Sequence, residues 1–376
     1  RTASEARTAV AQAAGTFAAE NSYKQYGYLA AHCMNAVRDV YGVANRHRWR
    51  GILSGQTDNT QVVTDALVGV NQYISTQAPT LTINDLFDDY AMTGYCGSPF
   101  IGNSTQTVTI TIATSTINRS GHGKLNNTPV KLTTTGSMPP EIVPGTIYYL
   151  VNTTSNTFQV AATVGGAAIT LSGTQSGVHT AEYAYADVTR QWMDDSEARF
   201  LAALEPTKYT YFNRVAHEEI RDGRHIGTKF TLLRLSSFYY PAHKAIADAN
   251  GLSLTQYEGG PSYELQGAGM TADAQYLEFH PHCTYTDEIG AIALDDYENF
   301  ITAGGHHPSQ YVDIAPETIV GSFGALRYLG SLTEDDNPRW DAVLEFNNPT
   351  DDPTPMGSVV TSTLSLGHGA NFSLAR

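Results

Sequence analysis

An abrupt change of composition in the middle of the chain most constrains its fold. Between residues 100 and 183, β-branched residues alternate with polar ones in short runs, and turns rich in Gly, Pro and Asn separate the runs. Such period-two runs at even spacing predict a small all-β sandwich or barrel module inserted at 100–183. The predicted strands are TQTVTITIAT, TPVKLTTTG, GTIYYLVN, TFQVAAT and AAITLSG. A spacer or protein contact surface is the preferred role of this module, ahead of sugar binding.

On both sides of the module, helical patterns alternate with strand patterns. This order predicts one α/β domain with parallel strands, built from residues 1–99 and 184–350, followed by a tail or linker at 351–376. Its predicted strands are RWRGILSGQ, INDLFDDYAMTGYCG, LSLTQYEGG and SQYVDIAP. Its predicted helices include NTQVVTDALVGVNQYI, DVTRQWMDDSEARFLAALEP, KYTYFNRVAHEEIRDG, FYYPAHKAIADANG, TDEIGAIALDDYENFITAGG and PRWDAVLEFNN.

Composition excludes several classes of protein. The 376 residues are 41% hydrophobic and 16% charged, which is typical of a globular chain. A net charge of −15 argues against a nucleic-acid partner and against an anionic membrane surface. The chain contains no apolar run of membrane-spanning length, so no membrane span is predicted. Its cysteines, Cys33, Cys96 and Cys283, are widely spaced and are predicted to be buried reduced thiols.

Polar residues fall where predicted strands end. Gln56 closes one strand, Tyr95 lies near the end of the next, and Glu258 ends LTQYE before two glycines. In parallel α/β folds, reacting groups lie at the carboxyl ends of the strands. Glu258 is therefore a candidate nucleophile or proton carrier. A salt-bridge partner or an acid at a helix N-terminus is an equally good interpretation.

Four segments, in the correct order, resemble a group of glycoside-hydrolase-like TIM-barrel proteins. HRWRGILSGQ is similar to their fifth strand, FDDYAMTGYCG to the sixth and TQYEGG to the seventh, while FGALRYLGSLTEDDNPRWDAVLEFN resembles their closing helices. The resemblance implies a (β/α)8 TIM-barrel-like fold, with about strands 4–8 in this chain. It also implies that Glu258 is the nucleophile of a retaining glycosidase.

The same resemblance implies a second carboxylate near the start of the chain. Glu5 would be the general acid/base at the end of the fourth strand, although Ser4 stands where the family has Asn. A helix N-cap at Ser4 followed by an early acid is an alternative. Four β/α units cannot close an eight-stranded barrel. The first half is therefore expected on a trimmed, cleaved or separate polypeptide, or from assembly with neighbouring copies.

The inserted module resembles a β-module that recurs in bacteriophage tail and virion proteins. The likeness lies in KLTTTGSMPPEIVPGTIYYLVNTTSNTFQVAATVGGAAITLSGTQSGVHT, with its Thr-rich strand, its Pro-Gly-Thr-x-Tyr-Tyr piece and its Asn-Thr-Phe-Gln-Val strand. It implies an extracellular location on a virion tail. The implied partners are other tail proteins and cell-surface polysaccharide on the host, with a homo-oligomer as the expected assembly.

Two main functions remain open at this point. The first is a tail glycosidase in which Glu258 and Glu5 cleave polysaccharide; the second is a structural or receptor-binding tail protein without catalysis. A secreted carbohydrate-binding protein unrelated to phage is a third. Residues predicted to line the substrate cleft are Gln56, Tyr95, Tyr257, His280 and His282. If HPHC lay on a strand, its two histidines would share one face and could chelate a metal, but neither a metal nor a cofactor is predicted.

Overall fold

A computed structural model describes residues 49–53, 60–77, 79, 82–310, 324–325, 337–347, 362–366 and 370–374. They divide into two compact units. The first unit comprises the described parts of Arg1–Tyr95, Arg234–Gly260 and Asp295–Tyr311. The second comprises the described parts of Cys96–Leu233, Pro261–Leu294 and Val312–Arg376. Each unit is described separately.

Strands and helices are numbered in chain order. The strands are β1 Trp49–Leu53, β2 Phe87–Cys96, β3 Ser104–Thr111, β4 Thr116–Asn118, β5 Pro129–Thr134, β6 Ile147–Val151, β7 Thr157–Ala161, β8 His179–Tyr183, β9 Ser253–Pro261, β10 Gly305–His306, β11 Ser362–Leu366 and β12 Ala370–Leu374. The α-helices are α1 Thr60–Gln77, α2 Ile83–Leu86, α3 Tyr185–Leu201, α4 Thr210–Asp222, α5 Leu232–Arg234, α6 Tyr240–Ala249, α7 Ala274–Thr284, α8 Asp287–Thr302 and α9 Pro338–Asn347. Shorter helices are the 3₁₀ turns Ile112–Thr114 and Met270–Ala272 and the π-helix Leu235–Tyr239.

The first unit is built on a four-stranded sheet in the order β1-β2-β9-β10. β1 pairs with β2 in parallel, and β10 pairs with β9 in parallel. Helix α6 packs on this sheet through a buried contact, in which the Tyr90 hydroxyl lies 2.7 Å from His243 Nδ1. The amide of Asn71 on α1 donates to Asn250 at the end of α6. The described strands of this unit therefore pair in parallel, with helix α6 packed against them.

The prediction of an eight-stranded (β/α)8 TIM-barrel-like fold is wrong. Within the described residues, parallel pairing forms a four-stranded sheet, and the strands that do close into a barrel are the antiparallel ones of the inserted segment. The sequence motifs match single strands and their ends, and such local matches do not specify how many strands pair. Ring closure depends on strand number and stagger, which are properties of the whole sheet.

The second unit contains a closed antiparallel barrel in the strand order β3-β4-β7-β6-β5-β8. Burial alternates along its strands, as expected where one face of each strand points into the core. Among the fully buried core residues are Val130, Leu132, Leu150, Phe158 and Ala181. Closure leaves no unpaired edge strand, which protects a short, Thr-rich sheet from pairing with other chains.

One of the predicted module strands is wrong, and two strands of the barrel, β4 and β8, were missed. Residues 167–173, AAITLSG, form no strand, although Ile169 N–H donates to Val160 O. Gly173 has φ +71° and breaks the extended conformation. The sixth barrel strand is instead β8, HTAEY, whose alternation of buried and partly exposed residues is hidden by its polar composition.

Two further observations complete the fold. β11 pairs with β12 as an antiparallel hairpin near the end of the chain. Across the described part of the chain, none of the helices has both the length and the apolar character that crossing a membrane requires.

The barrel core gives a first testable prediction. Phe158 is fully buried, and its ring packs against His122 and Tyr183 at centroid distances of 5.3 and 6.5 Å. We expect Phe158→Ala to lower the free energy of unfolding by about 3–5 kcal/mol, because it leaves a cavity in a closed core. The measurement is urea unfolding followed by circular dichroism. Val143→Ala, at a position that is 59% exposed, is the control; equal effects for the two variants would contradict the barrel.

Candidate functional site

The candidate site lies where β2 and β9 end, in the first unit. These two strands are neighbours in the sheet. Near their ends, the Tyr95 hydroxyl donates a hydrogen bond of 3.3 Å to Glu258 Oε2. Both residues lie near the carboxyl ends of their strands, and the hydrogen bond shows that these two ends meet at the same edge of the sheet.

The environment of Glu258 is unusual for a carboxylate. Within the described residues, it forms no ion pair, and Tyr95 is the hydrogen-bond donor that reaches it. The side chain is half-buried. Burial raises the pKa of the Glu258 carboxyl above its usual value of 4.5, and the hydrogen bond from Tyr95 partly offsets this increase. The salt-bridge interpretation of Glu258 therefore finds no partner in the described chain.

The backbone around Glu258 is held by Gln256, which was not predicted as a site residue. Gln256 is buried, and Ser309 N–H donates to its Oε1 at 3.0 Å. Its Nε2 donates to the Tyr240 hydroxyl at 3.2 Å, and this hydroxyl donates to Asp296 Oδ1 at 2.6 Å. Both ends of the amide are thus fixed. Since residues two apart on a strand share a face, Gln256 positions the face that carries Glu258.

Two glycines allow these side chains to approach the backbone closely. A Cβ atom on Gly94 would overlap the side-chain amide of Gln256. A Cβ on Gly260, which has φ +89°, would overlap the Gln310 side chain. The glycines after Glu258 were predicted to permit a sharp turn, and Gly260 does adopt the left-handed conformation that favours glycine.

The other predicted site residues lie elsewhere in the chain or outside its described part. Glu5 and Gln56 lie outside the described residues. Tyr257 lies in β9 between Gln256 and Glu258. Sequence reasoning placed Tyr95 and Glu258 at strand ends. It missed Gln256, Tyr240 and Asp296. For Gln256, the available signal was its position two residues before Glu258.

The HPHC segment lies on a helix and not on a strand, which the shared face of its histidines required. His280 and His282 belong to the second unit and lie in helix α7, where residues two apart point in different directions. His280 is buried, with Nε2 2.8 Å from Tyr263 O. His282 is exposed, and its ring stacks on Tyr209 at 3.6 Å. The two side chains therefore do not point the same way. In the described ranges, no group of three or more His, Cys, Asp or Glu residues could hold a metal ion.

Comparison with protein-family models, with curated proteins and with solved structures found no match for this chain.

The hydrogen bond between Tyr95 and Glu258 yields a second prediction. We expect Tyr95→Phe to raise the pKa of Glu258 further, because it removes the donor that favours the ionised carboxylate. The pKa can be measured by NMR titration of the protein labelled with ¹³C at the glutamate side-chain carboxyl, with Glu258→Gln to assign the resonance. Tyr211→Phe is the control, since the Tyr211 hydroxyl makes no hydrogen bond within the described chain. An unchanged or lowered pKa in Tyr95→Phe would contradict the geometry.

Burial of Glu258 also predicts a pH-dependent change in stability. A carboxyl whose pKa is raised in the folded state binds more protons there than in the unfolded chain, so it destabilises the fold as pH rises above 4.5. We expect Glu258→Gln to raise the melting temperature at pH 7, and the gain to vanish at pH 4. Glu298→Gln, at an exposed position of α8, should show no such gain. A Glu258→Gln variant that is less stable at pH 7 would indicate a structural role instead.

Proposed function

We propose that this protein is a tail component of a phage or phage-like virion, and that its first unit binds and hydrolyses host cell-surface polysaccharide. The observation that carries the proposal is the half-buried Glu258 carboxylate, bonded to Tyr95 where two adjacent strands end. Buried carboxylates with shifted pKa values at strand ends are typical of catalytic groups. The virion location is supported by the resemblance of the inserted segment to tail modules.

In the proposed mechanism, Glu258 is the nucleophile. Its carboxylate attacks the anomeric carbon, the glycosidic C–O bond breaks, and a second acid protonates the departing oxygen. Water then attacks the covalent glycosyl ester, and the second group accepts the proton from that water. Tyr95 donates to Oε2, so Oε1 is the oxygen available for attack. This bond also favours the ionised form that a nucleophile needs.

The second acid in this proposal is Glu5, which rests on the sequence resemblance. A retaining mechanism needs the two carboxyl groups about 5–5.5 Å apart. Ser4 precedes Glu5 in place of the Asn of the resembled family. If another residue protonates the leaving group, the role of Glu258 is unchanged, and the two parts of the proposal can be tested separately.

One observation favours a second candidate, a tail component that binds saccharide without cleaving it. Burial raises the pKa of Glu258, which favours the protonated form, and a protonated carboxyl hydrogen-bonds to sugar hydroxyls but does not attack an anomeric carbon. A receptor-binding protein needs only this bonding. The two candidates differ in whether a covalent intermediate forms on Glu258.

Azide rescue distinguishes the two candidates. After a panel of dinitrophenyl glycosides has identified a cleaved substrate, we expect Glu258→Ala to lose about a thousandfold or more in turnover. Added azide should restore turnover by taking the place of the nucleophile. It should give a glycosyl azide whose anomeric configuration is opposite to that of the substrate, as read by NMR. Glu298→Ala should retain full activity.

The other outcomes are equally informative. A glycosyl azide of retained configuration would make Glu258 the general acid/base and overturn its assignment as nucleophile. Saccharide binding that depends on Glu258, without turnover of any glycoside by the native protein, would support the binding candidate. Mass spectrometry of purified virions, searching for peptides of this chain, tests the tail location independently.

A further inference from the structure

The antiparallel hairpin near the end of the chain is too small to be stable by itself. β11 and β12 pair over five residues each, from Ser362 opposite Leu374 to Leu366 opposite Ala370. Within the described residues, the sheet that they form has these two strands and no third. Because an isolated two-stranded hairpin is at best marginally stable in water, this one needs a further strand or surface to pair with.

Apolar and polar residues of the hairpin separate onto its two faces. Alternate residues of a strand lie on the same face, and residues that are paired across the hairpin share a face. One face therefore holds Ser362 and the apolar residues Leu364, Leu366, Ala370, Phe372 and Leu374. The other face holds the polar residues Thr363, Ser365, Asn371 and Ser373. The hairpin is thus amphipathic.

The two edges of the hairpin lack the charges and prolines that commonly protect sheet edges. Among the described strands of the first-unit sheet, the outermost are β1, which contains Arg50, and β10, which is two residues long. The uncharged strands β3, β4, β6 and β7 lie in the closed barrel, where every edge is paired. The hairpin is therefore the described sheet whose edges are best suited to pairing with another chain.

The charge of the chain restricts where two copies can meet. Each copy has a net charge of −15, so two copies repel each other, and the repulsion is smallest where the contacting surfaces are neutral. Residues 353–374 contain no Asp, Glu, Lys or Arg in a chain that is 16% charged. The segment that carries the hairpin can therefore approach its counterpart in a second copy without bringing like charges together.

The sequence of β12, ANFSL, is complementary to itself about a two-fold axis. When two copies of β12 run antiparallel with their Phe372 residues opposite each other, Ala370 lies opposite Leu374 and Asn371 lies opposite Ser373. Every apolar residue then faces an apolar one, and every polar residue faces a polar one. Such a contact uses the same surface on both copies, as two-fold dimers do. β11 lacks this symmetry, because its first residue is Ser and its last is Leu.

We propose that the protein dimerises through β12, which pairs with β12 of a second copy in the antiparallel, two-fold register centred on Phe372. We call this the hairpin contact. The two hairpins form one four-stranded sheet in the order β11-β12-β12-β11, with the apolar residues of both copies on one face. A sheet of three or more strands with an apolar face has the size that independent stability requires. The hairpin contact is independent of Glu258 and of the proposed hydrolysis.

Charges introduced on the polar face test the register, because Asn371 of one copy faces Ser373 of the other. In Asn371→Asp/Ser373→Asp, like charges face each other twice, so we expect the dissociation constant of the dimer to rise about tenfold. In Asn371→Asp/Ser373→Lys, opposite charges face each other twice, so the constant should stay equal or fall. Sedimentation velocity over a range of protein concentrations measures these constants for the full chain.

A third variant controls for net charge. Val143→Asp/Val164→Asp adds two negative charges at positions that are 59% and 39% exposed. These positions lie outside the hairpin, so the dissociation constant should remain that of the native protein.

Cysteine cross-linking locates the axis of the dimer. Because the two Phe372 residues face each other, Phe372→Cys places two cysteines at a Cα separation of about 4.5–5.5 Å, which a disulfide can span. We expect mild oxidation to join most of this variant into covalent dimers. Leu366→Cys, on β11 of the same face, lies away from its counterpart and should give none. The native protein, with its three cysteines, supplies the background.

Two outcomes overturn the proposal. The first is a native protein that stays monomeric up to its solubility limit, which requires no variant. The second is a dimer whose dissociation constant is the same in the Asp/Asp and Asp/Lys variants, since that dimer forms through another surface. Neither measurement involves glycoside turnover, so a failure of the hairpin contact is distinguishable from a failure of the proposed hydrolysis.

Discussion

The side-chain amide of Gln256 is the contact on which the candidate site depends. It lies against Gly94 of β2, accepts from Ser309 after β10, and donates to the Tyr240 hydroxyl at the start of α6. One buried side chain therefore connects the sheet edge to a helix and to a loop. A buried amide must satisfy its polar groups, so its partners constrain one another, and the face that carries Glu258 has a defined position.

Glu258 illustrates how a fold accepts a destabilising group. A half-buried carboxylate without a cation is unfavourable, and the hydrogen bond from Tyr95 compensates only in part, as the raised pKa indicates. Elsewhere in the same protein, the buried Glu219 receives three backbone N–H groups. The two glutamates differ in their hydrogen bonds: the loop around Glu219 supplies three backbone N–H donors, whereas the Oε1 of Glu258 receives no hydrogen bond from the described residues. Unsatisfied polar groups of this kind are commoner at functional sites than in purely structural ones.

Local patterns predicted the elements well and their assembly poorly. β-branched alternation identified β3, β5, β6 and β7, because period-two burial is a local property. It missed β4, which is three residues long, and β8, whose polar composition hides the alternation of burial. No helix was predicted over α7, which contains Pro281. The eight-stranded barrel failed because strand number is decided by pairing across the sheet. Of the site, Tyr95 and Glu258 were accessible from the sequence. The partners Tyr240 and Asp296 were not, since only tertiary packing brings their helices to Gln256.

The net charge of the chain and the charges near one side chain act over different distances. A net charge of −15 describes the long-range field of the chain, which salt screens beyond about 8–10 Å. Within that distance the field is set by neighbouring groups; the Lys124 ammonium, for example, lies over the rings of Tyr183 and Tyr185. A net negative charge therefore disfavours an extended polyanion such as nucleic acid more strongly than it disfavours a single small anion.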